Sequence, residues 1–193
     1  MHMKKVYIIH GWESSPTEPW IVWVQNQLAS KGFAVRALQM PQPDPVIGEW
    51  IGKLQETVKS PNENTYFIGH SIGGQAVMRY LAALPEGTKI GGAIFLAGWF
   101  DLNNLEDEES EEIARPWLET PIDFESLKKK SNKYVAILSD NDKWVPLDIT
   151  KEKFEENLGA KVIVEHNKGH FSEDTGVTEV PSVVAELLRI SDS

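Results

Sequence analysis

The residues of this sequence best suited to covalent chemistry are grouped around one serine. Gly69, Ser71 and Gly73 follow a short apolar stretch, Thr65–Ile68, and precede a segment of helical character near Gln75. On a strand-to-helix turn, the pattern Gly-x-Ser-x-Gly holds a serine hydroxyl clear of the sheet in a strained conformation. The flanking glycines let the helix and the strand approach closely. The sequence therefore predicts a nucleophilic serine at Ser71.

A serine hydroxyl needs a base that takes its proton and an acid that orients the base. Two histidines follow Ser71 in the chain, His166 and His170. His166 lies at the end of a predicted strand, whereas His170 lies in the loop beyond it, where an imidazole can reach over a serine. We therefore predict His170 as the base and keep His166 as the weaker alternative.

The acid is expected in the loop after the preceding strand. Tyr134–Leu138 runs into a polar loop that contains Asp140 and Asp142. Asp140 lies nearer the strand end, where a carboxylate often serves only to tighten a turn. Asp142 lies deeper in the loop, and its spacing favours it, but both residues stay open on spacing alone.

These residues require a sheet whose strands end at one edge, because open α/β sheets build their sites there. Short apolar stretches alternate with stretches of helical spacing along the chain, which is typical of a parallel sheet with helices on both faces. We predict an α/β fold, a three-layer sandwich with a mostly parallel sheet of about six strands, in a single domain over residues 1–193. The predicted strands are Val6–His10, Phe33–Leu38, Thr65–Ile68, Ala93–Ala97, Tyr134–Leu138 and Val162–Glu165. The predicted helices lie near residues 20–28, 46–58, 75–84, 147–158 and 178–190.

Residues 102–130 depart from this alternation. Glu106–Glu112 contains six acidic residues in seven, and Pro116 and Pro121 are expected to interrupt the segment after this acidic run. Runs of charge usually face water, so a solvated helical insertion is expected. A small lid is the alternative, because the segment comes after the C-terminal end of a strand.

Composition limits the partners and the chemistry. The 193 residues carry 19 basic and 29 acidic side chains, for a net charge of −10, and no cysteine. Nucleic acid is not an expected partner, because phosphate binding needs concentrated Lys and Arg. Without cysteine, neither a thiol nucleophile nor a thiolate metal site is possible. We find no stretch with the about 20 apolar residues of a membrane span and no signal-peptide core, so a cytoplasmic location is expected.

Several motifs together carry a resemblance that spans nearly the whole chain. They are Tyr7–Trp12, Trp20, Met40-Pro41, Gly69–Gly73, Ser139–Asp142, Val145-Pro146, Gly169–Phe171, Gly176 and Pro181. With these motifs the chain resembles the α/β-hydrolase superfamily, and more narrowly the small serine hydrolases grouped with retinoblastoma-binding protein 9 and the bacterial YdeN proteins. The resemblance implies a compact hydrolase fold without the large cap of lipases.

The resemblance also implies roles for individual residues. It places a catalytic triad on Ser71, Asp142 and His170, with no metal and no organic cofactor. It places the two oxyanion-hole N–H groups on Trp12 and Ile72. His10 would then be structural, with its ring supporting the turn that carries Trp12.

The expected activity is hydrolysis of a short or medium acyl carboxylic ester, a small molecule, through an acyl-enzyme on Ser71. Trp99, Phe100 and Trp144 follow strand ends and are predicted to form an apolar acyl pocket. The same triad would serve a thioesterase or an amidase, although the net negative charge does not favour anionic acyl-CoA. A protein-binding module on a hydrolase scaffold is the alternative of a different class, because fold does not fix function.

Overall fold

Six strands form one parallel sheet in the computed structural model, which describes residues 3–192. The strands are β1 Lys5–Ile9, β2 Ala34–Leu38, β3 Thr65–His70, β4 Gly92–Leu96, β5 Tyr134–Ser139 and β6 Lys161–Glu165. Their bounds differ from the predicted ones by at most two residues, and the predicted α/β fold is confirmed. Residues 1, 2 and 193 of the predicted domain lie outside the described range.

Seven α-helices and one 3₁₀ helix, Glu173–Thr175, occur within the described residues. The α-helices are α1 Pro19–Ser30, α2 Ile47–Thr57, α3 Ile72–Ala82, α4 Glu108–Glu119, α5 Phe124–Lys128, α6 Leu147–Leu158 and α7 Pro181–Asp192. Local sequence sets several of their ends. Pro19 supplies the fixed φ that suits a first helical turn, and Gly159 ends α6 in a left-handed conformation at φ 60°.

Helices cover both faces of the sheet. Along β3, Phe67 packs into one hydrophobic cluster, while Tyr66 and Ile68 pack into the other. The first cluster takes its helical residues mainly from α2, α3 and α6, and the second takes them from α1 and α7. This alternation produces the three layers, because successive side chains of a strand point to opposite faces.

The strand order β2-β1-β3-β4-β5-β6 has a topological switch point between β1 and β3. The chain passes from β1 to β2 on one side and then returns to place β3 on the other side of β1. Ligands of open α/β sheets bind at such a switch point, outside the carboxyl ends of the strands. Ser71, Asp142 and His170 follow β3, β5 and β6, so all three lie at this edge.

The acidic segment forms α4 and α5. Asp107 caps α4 by accepting from the Ser110 N–H at 2.7 Å, and the six acidic side chains of residues 106–112 are exposed, as expected for a solvated helix. Trp117 is buried, and its indole N–H donates to the Pro45 carbonyl at 2.6 Å. The expectation that Pro116 interrupts the segment is wrong, because α4 continues through it. One missing N–H is tolerated where the neighbouring Trp117 anchors the helix.

No helix in the described part of the chain is both long enough and apolar enough to span a membrane.

Candidate active site

Ser71 forms the turn between β3 and α3. Its backbone has φ 52° and ψ −124°, a conformation that a residue with a side chain adopts only where the surrounding structure enforces it. The Ser71 N–H donates to the Leu96 carbonyl at 2.9 Å, which ties the turn to the end of β4. The strained strand-to-helix turn expected at this serine is therefore present, and Ser71 lines a cavity at the edge of the sheet.

Glycines beside Ser71 make this turn sterically possible. A Cβ atom on Gly69 would lie 2.6 Å from the Cα atom of Gly74, and one on Gly73 would lie 2.5 Å from the carbonyl oxygen of His10. The atoms in the way belong to the backbone, so no side chain can move to make room. The two flanking glycines of the motif are therefore required by packing.

His170 and Asp142 form a buried hydrogen-bonded pair. The His170 Nδ1 and the Asp142 Oδ2 lie 2.7 Å apart, and the two side chains are 10% and 2% exposed. The other carboxylate oxygen, Oδ1, accepts from the N–H groups of Trp144 at 3.0 Å and Val145 at 3.2 Å. Because a carboxylate accepts, His170 carries its proton on Nδ1 and leaves the Nε2 lone pair free.

The loops that carry Asp142 and His170 are joined by further side-chain acceptors. Residues 139–142 accept hydrogen bonds from four successive residues, 167–170. Besides the Asp142–His170 pair, the bonds are Asn167 N–H to Asp140 at 2.9 Å, Lys168 N–H to Ser139 at 3.0 Å and Gly169 N–H to Asn141 at 2.8 Å. The position of the His170 ring is thus determined by a whole polar segment. Sequence reasoning missed this function, although four successive side-chain acceptors were a visible signal.

The alternative base and acid form a separate pair. His166 Nδ1 and Asp140 Oδ2 lie 2.5 Å apart, and the His166 side chain is 84% exposed. Neither residue lines the cavity that contains Ser71. The structure thus pairs His170 with Asp142 and places His170 and Ser71 on one cavity, whereas His166 and Asp140 lie at the surface of the loops.

His70, the residue before Ser71, supports the loop of His170. Its Nε2–H donates to the His170 carbonyl at 2.8 Å, and the two rings lie 5.1 Å apart. Burial lowers the pKa of His70 to about 3, and the neighbouring His170 ring adds to the decrease. His70 is therefore neutral near pH 7, and its Nδ1 has no hydrogen-bond partner within residues 3–192. Sequence reasoning did not assign it a function, although a histidine inside the serine motif was the available signal.

The turn after β1 lies directly against His70 and Ser71. A Cβ atom on Gly11 would lie 3.0 Å from the His70 Nδ1 and 3.5 Å from the Ser71 Cβ. His10 accepts the Met40 N–H on Nε2 at 3.1 Å and donates from Nδ1 to the Gly11 carbonyl at 2.6 Å. Burial lowers the pKa of His10. The prediction that His10 supports the turn is confirmed by these two bonds.

Two backbone N–H groups are available beside Ser71. Ile72 is the first residue of α3, so its N–H has no acceptor within the helix. The Trp12 N–H makes no backbone hydrogen bond within the described residues. Both residues line the same cavity as Ser71.

The cavity has a volume of about 300 Å³ and a wall rich in tryptophan. The tryptophans are Trp12, Trp20, Trp99 and Trp144, and the charged residues are Glu13, Glu18, Glu106 and Asp174. No lysine or arginine is among the described residues that line it. Burial raises the pKa of Glu18, and the nearby Glu173 and Asp174 carboxylates add to the increase. The cavity is therefore apolar with an acidic border.

The structure corrects one residue of the predicted pocket. Trp99 and Trp144 line the cavity, and the Trp144 ring meets the His170 ring edge-on at 4.9 Å. Phe100 does not line it. Its ring instead packs on Phe154 of α6 at 4.6 Å and on Phe124 of α5 at 5.7 Å.

Within the described residues, no group of three or more histidine and carboxylate side chains is arranged to hold a metal ion.

Comparison with known proteins gives relatives along almost the whole chain. The family model described as serine hydrolase matches residues 6–189. The YdeN protein of Bacillus subtilis (strain 168) is 30% identical over 181 residues, which cover 93% of this chain and 92% of that protein. The serine hydrolase RBBP9 of Rattus norvegicus is 28% identical over 177 residues, which cover 89% of this chain and 88% of that protein.

Solved structures share the fold. The crystal structure of the ydeN gene product from B. subtilis superposes with a TM-score of 0.89 at 28% identity and covers 99% of this chain and 100% of that chain. Est1E from Butyrivibrio proteoclasticus superposes with a TM-score of 0.74 at 19% identity, with 99% and 89% covered. The expected resemblance is thus confirmed by sequence and by fold, and the chain belongs to the serine hydrolase family.

Proposed function

We propose that this hydrolase cleaves a short or medium acyl carboxylic ester through an acyl-enzyme on Ser71. The observation that carries the proposal is the buried Asp142–His170 pair at 2.7 Å, in a cavity that His170 and Ser71 line together. Asp142 holds the Nδ1 proton, so the His170 Nε2 is the ring nitrogen that can accept a serine proton. Asp142 would thus fix the tautomer of the base and stabilise its charge once it is protonated.

In the acylation step, Ser71 Oγ attacks the ester carbonyl carbon while His170 Nε2 takes the hydroxyl proton. The electron pair of the carbonyl moves to its oxygen, which the N–H groups of Trp12 and Ile72 stabilise. One such donor contributes about 3 kcal/mol in measured cases. His170 then protonates the leaving oxygen as its bond to carbon breaks, which releases the alcohol and leaves the acyl group on Ser71.

In the deacylation step, water attacks the acyl carbon and gives its proton to His170 Nε2. The bond between the acyl carbon and Ser71 Oγ then breaks, and Oγ regains a proton from His170. The acid leaves, and the enzyme returns to its starting state. All of these steps use groups of the chain and water.

The shape and charge of the cavity support an uncharged ester of modest size. A volume of about 300 Å³ lies at the lower end of the range for small-molecule sites. Glu13, Glu18, Glu106 and Asp174 repel anionic groups at its border, which disfavours acyl-CoA thioesters. An uncharged thioester or an amide would meet the same groups, so the cavity does not distinguish these substrates from esters.

Labelling with a fluorophosphonate probe tests the proposal, because the probe reacts with an activated serine. The wild type and Ser110→Ala, a control for a second serine in the same cavity, are expected to take up one probe molecule on Ser71, located by peptide mass spectrometry. Ser71→Ala is expected to take up none. If the wild type is not labelled, or if Ser71→Ala is labelled equally, the proposed activity is wrong and a protein-binding module becomes the better explanation.

A further inference from the structure

Trp99 contacts the proposed nucleophile with a hydrogen-bond donor. Its indole Nε1–H donates to the Ser71 Oγ at 3.3 Å, and the residue is 2% exposed. The turn before it has an unusual backbone, with Ala97 at φ 45°. A Cβ atom on the next residue, Gly98, would lie 2.8 Å from the Phe154 ring. The end of β4 is therefore shaped so that the indole points at Ser71.

A buried chain of hydrogen bonds holds the backbone of Trp99. Its carbonyl accepts from the Gln75 side-chain amide, and the Gln75 Oε1 accepts from the Arg79 Nη1. Gln75 and Arg79 lie one turn apart on α3, and they are 1% and 6% exposed. The Arg79 Nη2 donates in turn to the carbonyls of Trp117 at 2.7 Å and Thr120 at 2.6 Å. The chain of bonds thus runs from the end of α4 to the residue that contacts Ser71.

Arg79 is a buried charge that no carboxylate neutralises, since it forms no salt bridge within residues 3–192. Its charge instead faces the C-terminal carbonyls of α4, which carry the negative end of the helix dipole. Its guanidinium also lies 5.5 Å from the centre of the Trp117 ring. Burial lowers the pKa of Arg79 to about 10, so it stays charged near pH 7. Arg79 therefore joins the C-terminal end of α4 to α3, next to the Gln75 amide that holds Trp99.

We propose that Trp99 is a catalytic residue whose indole N–H stabilises negative charge on Ser71 Oγ, and that Gln75 and Arg79 are positioning residues that hold it there. The inference rests on the proposed function of Ser71. In the resting enzyme the indole occupies a lone pair of Oγ, which leaves the hydroxyl proton available for His170.

The contact gains strength during both chemical steps. In acylation, Oγ transfers its proton to His170 Nε2 and forms a bond to the carbonyl carbon, so it becomes electron-rich as the attack begins. In deacylation, the bond from the acyl carbon to Oγ breaks, and Oγ takes the electron pair before His170 returns the proton. Hydrogen bonds to charged acceptors are shorter and stronger than neutral ones, and catalytic bonds that are long in a free enzyme often tighten in the transition state. Such a bond lowers the barrier, because it is stronger in the transition state than in the ground state.

The test compares Trp99→Phe with Trp23→Phe, which removes a half-buried tryptophan of α1 outside the cavity. For p-nitrophenyl butyrate we expect Trp99→Phe to lower kcat by about 10-fold with KM changed by less than about 3-fold, the pattern of a lost transition-state interaction. Trp23→Phe should match the wild type. A change in KM alone, or an unchanged kcat, would mean that Trp99 is only part of the cavity wall.

A second variant covers the case in which Trp99→Phe does not fold. Gln75→Met keeps the Trp99 side chain but removes the amide that holds the Trp99 carbonyl. The indole should then be held less well against Ser71, so kcat should fall by about 3-fold at unchanged KM. Unchanged kcat in a folded Gln75→Met protein overturns the positioning part of the inference. Fluorophosphonate labelling of the wild type separates the two proposals. Labelling at Ser71 with a wild-type kcat in Trp99→Phe overturns the function of Trp99 alone, whereas absence of labelling overturns both.

Discussion

The side-chain oxygen of Asn141 accepts a hydrogen bond from the backbone N–H of Gly169, the residue before His170, at 2.8 Å. The same oxygen accepts from the Ser139 hydroxyl at 2.8 Å, so Asn141 links two loops that follow different strands. Gly169 has φ 52°, and a Cβ atom there would lie 2.4 Å from the Thr175 side chain. The backbone of Gly169 is therefore held by the exposed Asn141 amide on one side and by close packing against Thr175 on the other.

Replacement of Asn141 by alanine should loosen the His170 loop without removing any reacting group. The loss of two hydrogen bonds is expected to lower the free energy of unfolding by about 1–2 kcal/mol. We expect kcat for a p-nitrophenyl ester to fall several-fold, because the imidazole is held less well, with KM almost unchanged. Asn26→Ala, on the exposed side of α1, is the matched control. A wild-type kcat in Asn141→Ala would show that the remaining bonds to the His170 loop, from Ser139, Asp140, Asp142 and His70, are sufficient to hold the ring.

The two histidines that follow Ser71 should differ sharply in their effect on turnover. His170→Ala removes the base paired with Asp142 and is expected to lower kcat by about 10⁴-fold or more. His166→Ala removes an exposed side chain that pairs only with Asp140, so ester turnover should stay within about 2-fold of the wild type. Steady-state kinetics of both variants decide the assignment, and the reverse result would mean that the base has been misplaced.

Much of the fold follows from short-range patterns in the sequence. The strands β3, β4 and β5 are buried along their whole length, so they appear as short apolar stretches between helical segments. Ser71 is recognisable for the same reason, because the steric demands on Gly69 and Gly73 are local. The fold and the position of the nucleophile could therefore be read from neighbours in the chain.

The sequence favoured His170 and Asp142 as partners of Ser71 but left His166 and Asp140 as alternatives, because side-chain pairing depends on how loops turn. Asp140 and Asp142 are two residues apart, yet one pairs with exposed His166 and the other with buried His170. Trp99 and Phe100 are adjacent, yet only Trp99 lines the cavity, whereas the Phe100 ring packs on Phe154 of α6. The contact between Trp99 and Ser71 could not be predicted from the sequence either, because no spacing rule connects residues 28 positions apart.

Two glycine substitutions should have opposite effects on stability. In Gly73→Ala the new Cβ would lie 2.5 Å from the His10 carbonyl oxygen, so the Ser71 turn must shift. We expect a loss of about 3 kcal/mol or more in the free energy of unfolding, together with loss of fluorophosphonate labelling. Gly52→Ala, inside α2, meets no atom within 4 Å and should stabilise the protein by about 0.5–1 kcal/mol. Urea unfolding of both variants measures this contrast, and a stable, active Gly73→Ala protein would contradict the steric argument.

The cavity predicts which esters are turned over. Its volume of about 300 Å³ lies at the lower end of the range for small-molecule sites, and four tryptophans line it. We therefore expect kcat/KM for p-nitrophenyl esters to be highest for acyl chains of up to about eight carbons and to fall for longer ones. A maximum at the palmitate ester would contradict this account of the pocket.

The effect of substrate charge on turnover can be tested with two thioesters of the same acyl length. Butyryl-CoA and S-butyryl-N-acetylcysteamine share the reacting thioester, but only the first carries phosphates. The carboxylates at the border of the cavity should disfavour butyryl-CoA, and the difference should shrink as salt is added, because exposed charges are screened. Equal kcat/KM for the two thioesters at low salt would show that these carboxylates do not select the substrate.

The stability of the protein should fall on acidification in a way that depends on His70. Burial lowers the pKa of His70 to about 3 in the folded protein, from an ordinary value of 6.5. Between these values the unfolded chain binds a proton that the folded chain does not, so this contribution to stability is complete above pH 6.5 and is lost as pH falls towards 3. From pH 6 to 4, the free energy of unfolding of the wild type should decrease by about 1.4 kcal/mol per pH unit more than that of His70→Gln. Other groups, such as His10, titrate in both proteins and cancel in the comparison. Urea unfolding at each pH measures the difference, and parallel curves would mean that His70 is already protonated in the fold.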